Sequence, residues 1–212
     1  MARPAPPGAD VPMFPLGTVL LPGAYLPLHV FEPRYRELVR VCLESEAEFG
    51  VTLIERGSEV GGGEVRFDAG CMARIVAAAQ FDDGRWAIGT VGTRRVQVTR
   101  WLPDAPYPRA EVDDWEDPPA GPEAGRRRAG VVTQLRRVLA LSAELGEISS
   151  GVTAPIDEDP VVASYQLAAL APVGPLDMQV LLSAPTPDER LELLARLLDE
   201  EEVVLARRLE GG

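Results

Sequence analysis

The chain has 212 residues, 46% of them hydrophobic and 25% charged, so it is long enough to bury a core without disulfide or metal staples. Its formal charge is −12, spread over both halves, and all 21 basic residues are arginine, a balance that disfavours a nucleic-acid binder with its basic face. No apolar run approaches the ~20 residues of a membrane span, so no membrane association is expected.

Residues 1–10, MARPAPPGAD, lack the apolar centre of a secretory signal and read as a short disordered lead. Together with only two cysteines, Cys42 and Cys71, this predicts a reduced, cytoplasmic setting in which both thiols are small core hydrophobes. From Phe14 to Val39, Pro15, Pro22, Pro27 and Pro33 stand among β-formers. Each proline removes a ladder donor, which excludes a central strand and permits short extended segments with sharp corners. Glu32-Pro33-Arg34-Tyr35 then starts a helix, with proline where its missing N–H costs nothing. Leu38, Val41 and Cys42 continue it at helical spacing, to about Ser45.

The following seventy or so residues read as strands. Phe49–Glu55 is a compact apolar run, and Gly61-Gly62-Gly63 is a flexible connection. Val65–Phe67 and Cys71–Gln80 follow as two strands joined by Asp68-Ala69-Gly70. Asp82-Asp83-Gly84 predicts a hairpin into Trp86-Ala87-Ile88, since Asp-Gly tolerates positive φ. Val91–Trp101 alternates as a half-buried strand, and Ala110–Val112 closes the series. The strand-rich part therefore spans residues 11–114. Residues 115–125, with two adjacent prolines and several acids, are expected to form a linker unable to join a core.

Beyond it, in residues 126–210, the apolar period changes from 2 to 3.6. Val131, Leu135, Val138, Leu139 and Leu145 line a helix that ends at Gly146. Asp159-Pro160 opens a second helix bearing Tyr165, Leu167 and Leu170, and Pro175–Leu182 makes a short third. Thr186-Pro187-Asp188-Glu189 is a capping box ahead of a long final helix striped by Leu191, Leu194, Leu198, Leu205 and Leu209. Leu197 and Val204 widen that stripe, leaving a remainder that could serve a dimer or a partner.

Signals for chemistry are sparse. Gly61–Gly63 lies between Glu59 and Glu64 without a following helix or a cation, so it is not a phosphate cradle. His29 is the sole histidine, sits in an extended segment, and has no GxSxG serine to serve. One histidine and two distant cysteines make no standard zinc site, and Asp157-Glu158-Asp159 reads as a solvated loop and helix cap. No cofactor is implied. Glu32 and Arg34 read as a corner salt bridge in preference to a ligand contact. Arg126-Arg127-Arg128 oppose a helix dipole, and their expected partners are Glu116, Asp117 and Glu123.

Several motifs also occur in a telling order: Phe14-Pro15-Leu16, Leu21-Pro22-Gly23, Leu26 through Tyr35 (LPLHVFEPRY) and Phe49-Gly50-Val51. Gly70 through Ile75, Asp83-Gly84-Arg85-Trp86, Tyr107 through Val112 and Asp188-Glu189-Arg190-Leu191 follow. In this order they resemble the amino-terminal LON domain of the Lon protease family over roughly residues 11–209. The resemblance implies an α+β fold, a PUA-like bent β-barrel followed by an α-helical bundle. It implies recognition of unfolded or client polypeptide, cooperation with a separate protease, and a role in assembly compatible with a homo-oligomer. Without lysine the chain can form neither a P-loop nor a serine–lysine dyad, so a free-standing, non-catalytic member is expected. The alternatives from other classes are a peptidase-associated hydrolase and a PUA-like RNA-binding module. The expected client-binding residues lie at the proline-rich corners: Leu21, Pro22, Tyr25, Glu32, Arg34 and Tyr35. The expected groove lies between barrel and bundle.

Overall fold

The computed structural model describes residues 8–56, 65–146 and 154–210; the predicted lead up to residue 7 and the Gly61–Gly63 connection lie outside these. The chain divides into two compact units, Met1–Glu116 and Asp117–Gly212.

The first unit holds six strands and one helix: β1 (Ala9–Leu16), β2 (Tyr25–Val30), α1 (Pro33–Leu43), β3 (Glu48–Arg56), β4 (Val65–Gln80), β5 (Trp86–Leu102) and β6 (Arg109–Asp114). The strands pair in the order β2-β5-β4-β3-β1-β6, and β6 pairs again with β5. The ladder from β5 through β4, β3, β1 and β6 therefore returns on itself, and β2, at the end of the order, keeps an open edge. β1 runs parallel to β3, while the other ladders are antiparallel.

Two strands are longer than their sequence suggests. Asp68-Ala69-Gly70 does not turn the chain; it lies within the 16-residue β4. A Cβ at Gly70 would stand 2.5 Å from the Val51 carbonyl oxygen, so this glycine permits close strand approach where a turn was expected. Trp86–Ile88 and Val91–Trp101 likewise fuse into the 17-residue β5. Bulges between Met72 and Ala73, Ile75 and Ala77, and Val98 and Arg100 bend these long strands, so that β5 serves β2, β4 and β6 along its length. The predicted hairpin is present, with Gly84 at φ +81°.

Alternation puts one side of each strand into a core around Phe14, Leu38, Val39, Phe49, Val51 and Ile88. Phe14 stacks on Tyr35 with ring centroids 4.0 Å apart, fixing α1 to the sheet. Glu48, almost fully buried, bonds Arg74 at 2.7 Å and Arg94 at 2.8 Å, and Arg94 also bonds Asp114 at 2.9 Å. Four strands are thereby tied by one ionic chain.

Cys42 and Cys71 are free, buried members of this core, and burial pushes both thiols up to about 12. A raised thiol pKa lowers the thiolate fraction, and the thiolate is the reactive form. Neither cysteine should label with a maleimide at pH 8 in the native protein, whereas both should label in urea. Fast native labelling, followed by intact-mass measurement, would contradict this burial.

The second unit is helical: α2 (Ala124–Glu144), α3 (Pro160–Leu170), α4 (Pro175–Ser183) and α5 (Pro187–Glu210). Asp159 caps α3 by accepting the Val161 N–H, and Thr186 accepts the Glu189 N–H at 3.1 Å as the capping box requires. Gly146 follows α2 at φ +75°. Ion pairs Arg127–Asp188 (2.8 Å) and Arg137–Glu202 (2.9 Å) show that α2 and α5 run side by side in the same direction. Val131, Leu135, Val138 and Leu139 of α2 are buried, as are Leu191, Leu194, Leu198 and Leu205 of α5.

Residues 115–123 place no side chain in a core, yet the segment is tied to the helical unit. Asp117 accepts a hydrogen bond from the Tyr165 hydroxyl at 2.5 Å and from Arg190 at 2.8 Å, and the Gly121 N–H donates to Asp188 at 2.7 Å. Its acids are anchors for the helical unit. Consequently Asp117 is not a partner for Arg126–Arg128: Arg126 pairs with Glu123 at 3.3 Å, Arg127 with Asp188, and Arg128 donates to the Asp157 carbonyl.

Candidate functional site

Strand β2 is the natural place to look, because it has a ladder partner on one side only. The Gly92 N–H donates to the Ala24 carbonyl at 2.9 Å, so even-numbered β2 residues bond β5 and odd-numbered ones direct their backbone groups to the open edge. Pro27 occupies an odd position. Its absent N–H interrupts that edge and opposes strand addition by another chain, the usual protection of an edge strand.

Side chains on β2 divide by the same alternation. Leu26 and Leu28 pack on the core, and Tyr25, Pro27 and His29 are exposed on the outer face. Opposite them on β5 stand Val91, Gly89 and Ala87, and beyond these on β4 lie Ala77 and Ala79. The charged member of this patch is Arg74, beyond Val91 on β4 and paired with Glu48 at 2.7 Å; the other positions are uncharged, in a chain one quarter charged. Tyr25 is 63% exposed and lies across Gly89, where a Cβ would come within 2.5 Å of its hydroxyl oxygen. The glycine thus seats the ring on the sheet.

Four residues along, about 13 Å away at strand rise, the face ends in a cleft of about 210 Å³ lined by His29, Val30, Phe31, Phe81, Arg85 and Trp86. Phe31 and Phe81 are roughly half exposed, and the Arg85 guanidinium lies 5.8 Å from the Phe81 ring centre. Arg85 is held by Asp83, whose carboxyl is kept below its ordinary value by the Arg85 backbone N–H and side chain.

Of the six residues expected from sequence, this surface contains one. Tyr25 is exposed as described. Leu21 and Tyr35 are buried, at 2% and 3% exposure, and Pro22 is half-buried. Arg34 bonds Glu32 at 3.2 Å and lies 4.5 Å from the Tyr35 ring centre, the corner salt bridge read from sequence. Sequence reasoning missed the cleft, although the outward spacing of Tyr25, Pro27, His29 and Phe31 was present in the alternation. Among the described residues no group of three His, Cys, Asp or Glu side chains is placed to hold a metal ion. None of their helices is long and apolar enough to cross a membrane.

An exposed, largely apolar sheet face with aromatic ends suits a polypeptide segment better than a small polar substrate. The family model for the ATP-dependent protease La (LON) substrate-binding domain matches residues 10–200. The chain belongs to that family. The resemblance carried by its proline-rich motifs thus holds, and substrate binding in Lon proteolysis is the family's role.

Relatives agree. The LON domain described here is similar to Lon protease 2 of Myxococcus xanthus, 26% identical over 199 residues, covering 92% of this chain and 24% of that protein. It is equally similar to Lon protease 2 of Herpetosiphon aurantiacus, 26% identical over 200 residues with the same coverage of 92% and 24%. The chain therefore spans about a quarter of the length of these curated relatives. A solved Lon N-terminal domain protein from Xanthomonas campestris aligns with a TM-score of 0.63 and 31% identity, covering 88% of this chain and 96% of that one. The N-terminal domain of Mycobacterium avium complex Lon protease aligns with a TM-score of 0.67 over 90% of this chain and 98% of that one; at 21% identity it speaks to the fold alone.

Proposed function

We propose that this LON domain captures exposed apolar segments of client polypeptides on the outer face of β2, β5 and β4 and presents them for proteolysis by a catalytic partner. In this reading the closed ladder is a bent PUA-like barrel and α2–α5 form the helical bundle of such domains. The domain itself cuts nothing, because a lysine-free chain offers neither the dyad base nor the phosphate-binding lysine. The observation that carries the reading is the largely apolar face running from Tyr25 to the His29–Trp86 cleft.

A client side chain buried there contributes about 1.5–3 kcal/mol, so several anchors are needed for useful affinity once ordering costs are met. Pro27 keeps the client from simply extending the sheet, and side-chain burial then sets affinity.

Replacing Tyr25 by arginine places a charge at one end of the face without disturbing the core, since the side chain is mostly exposed. Capture of an unfolded, fluorescently labelled client should fall at least about tenfold by anisotropy, while circular dichroism and melting stay unchanged. Undiminished binding by the folded variant would reject this surface.

A further inference from the structure

We propose that the outer edge of β4, from Val76 to Gln80, takes up an extended segment of a partner polypeptide as an added strand, with one acidic side chain of that segment held by Arg36. β3 pairs with β4 only as far as Arg74, opposite Glu48, and just beyond it the Ala47 carbonyl accepts the Ile75 N–H at 2.8 Å. From there to the hairpin β4 pairs with β5 alone. Gly92 directs its N–H and its carbonyl to β2, so Gly89 and Ala87 turn theirs to β4, opposite Ala77 and Ala79. The Phe81 N–H, which donates to the Arg85 carbonyl at 2.9 Å, keeps the same alternation. The N–H and C=O groups of Ala78 and Gln80 therefore point away from the sheet, and among the described residues they have no partner there. Pro27 closes the edge of β2 to strand addition. The β4 edge reads Val-Ala-Ala-Ala-Gln, with neither proline nor charge to blunt it, and all five residues are exposed.

An open edge alone accepts many strands, and the cleft beside it narrows the choice. Gln80 and Trp86, opposite each other in the ladder, line a cleft of about 380 Å³ with Pro33, Arg36, Glu37 and Arg40 of α1. Side chains that neighbour each other across a sheet share a face, so a residue of the added strand beside Gln80 stands at this cleft. Arg40 is already paired with Glu37 and Glu44, each at 2.6 Å. Arg36 is not: among the described residues no carboxylate lies within ion-pair distance of it. Asp83, whose carboxyl feels the Arg36 charge, is bonded to Arg85 at 2.6 Å. The Arg36 guanidinium lies against Gly84, where a Cβ would collide with one of its terminal nitrogens, so the hairpin turn positions the cation. A carboxylate is the acceptor that suits it, through a charge-assisted hydrogen bond. Because the chain carries a net charge of −12, a segment with a single acid among uncharged residues fits better than an acidic run. The site is separate from the client surface at Tyr25, which lies two strands away on β2.

The probe is an acetylated, amidated peptide of alternating valine and threonine with one central glutamate, compared with its glutamine counterpart. The glutamate peptide should bind at least about tenfold more tightly. When it is bound, hydrogen exchange at the Ala78 and Gln80 amides should slow at least about tenfold, and exchange at Ala77 and Ala79, already in the β5 ladder, should not change. Ala78→Pro removes one outward donor and leaves that ladder intact, so it should weaken both peptides at least about tenfold. Arg36→Gln should lower the glutamate peptide to the affinity of the glutamine peptide and leave the latter unchanged. Tyr25→Arg should affect neither. If Ala78→Pro does not fold, amide exchange in the parent chain still decides. Absence of binding, unaltered exchange at Ala78 and Gln80 in the complex, or a glutamate preference that survives Arg36→Gln would overturn the proposal. So would a dimer in sedimentation velocity with these two amides already protected, which would give the edge to a second copy.

Discussion

An Arg190→Ala variant is expected to lose about 3–5 kcal/mol of stability in the helical unit, the usual result of removing one partner from a buried ion pair. Arg190 is fully buried. Its Nε donates to the Leu181 carbonyl at 3.0 Å, one terminal nitrogen donates to the Ser164 hydroxyl at 2.8 Å, and the other to the Asp117 carboxylate at 2.8 Å. The guanidinium also lies 3.8 Å from the centre of the Tyr165 ring, whose hydroxyl donates to the same carboxylate. One side chain thus satisfies α3, the end of α4 and the segment leading into α2. Alanine leaves Asp117 charged and nearly buried without its guanidinium partner, and opens a cavity beside it.

The arrangement of tryptophans makes the effect separable. Trp86, Trp101 and Trp115 all belong to the strand-rich unit, whereas most helix belongs to the other. Urea unfolding followed at 222 nm should move sharply to lower denaturant, and the tryptophan fluorescence transition should move much less. The double variant Asp117→Leu with Arg190→Met removes the charge and its counter-charge together, and should recover part of the loss. A single variant that unfolds with the parent at both wavelengths would show that the network is dispensable.

This network marks the limit of what the sequence displays. Apolar period, capping residues and the Asp-Gly hairpin placed nearly every element, because these signals are local and the structure honours them. Arg190 was visible only as part of the Asp188–Leu191 motif, and Asp117 only as one acid in a stretch rich in proline. Their pairing spans 73 residues and belongs to tertiary packing, which no local pattern encodes. The site shows the same division. Tyr25 could be found from its place among prolines, but Leu21 and Tyr35 share that neighbourhood and are buried, because corners of a bent sheet turn some side chains inward. Gly70 misled for a related reason. A glycine in a strand signals either a turn or close backbone approach, and only the partner strand decides which.

Gly92 extends that argument to the corner that holds Tyr25. Its N–H donates to the Ala24 carbonyl at 2.9 Å, and its carbonyl accepts from the Gly23 N–H at 2.8 Å. A Cβ at this position would stand 2.1 Å from the Leu21 carbonyl oxygen and 2.9 Å from its carbon, and these are backbone atoms that cannot rotate away. Gly92→Ala must therefore push the Leu21–Ala24 corner off β5, at a cost of about 1–3 kcal/mol. The tryptophan transition should report it, and the helical transition should not. Because Tyr25 follows directly on Ala24, client capture should weaken even where the variant remains folded. Gly125→Ala provides the contrast: it lies in α2, its Cβ meets nothing within 4 Å, and loss of glycine from a helix should stabilise by about 0.5–1 kcal/mol. If Gly92→Ala proved as harmless as Gly125→Ala, the corner would be adaptable, and the rigid seating of Tyr25 on the sheet would no longer explain client capture.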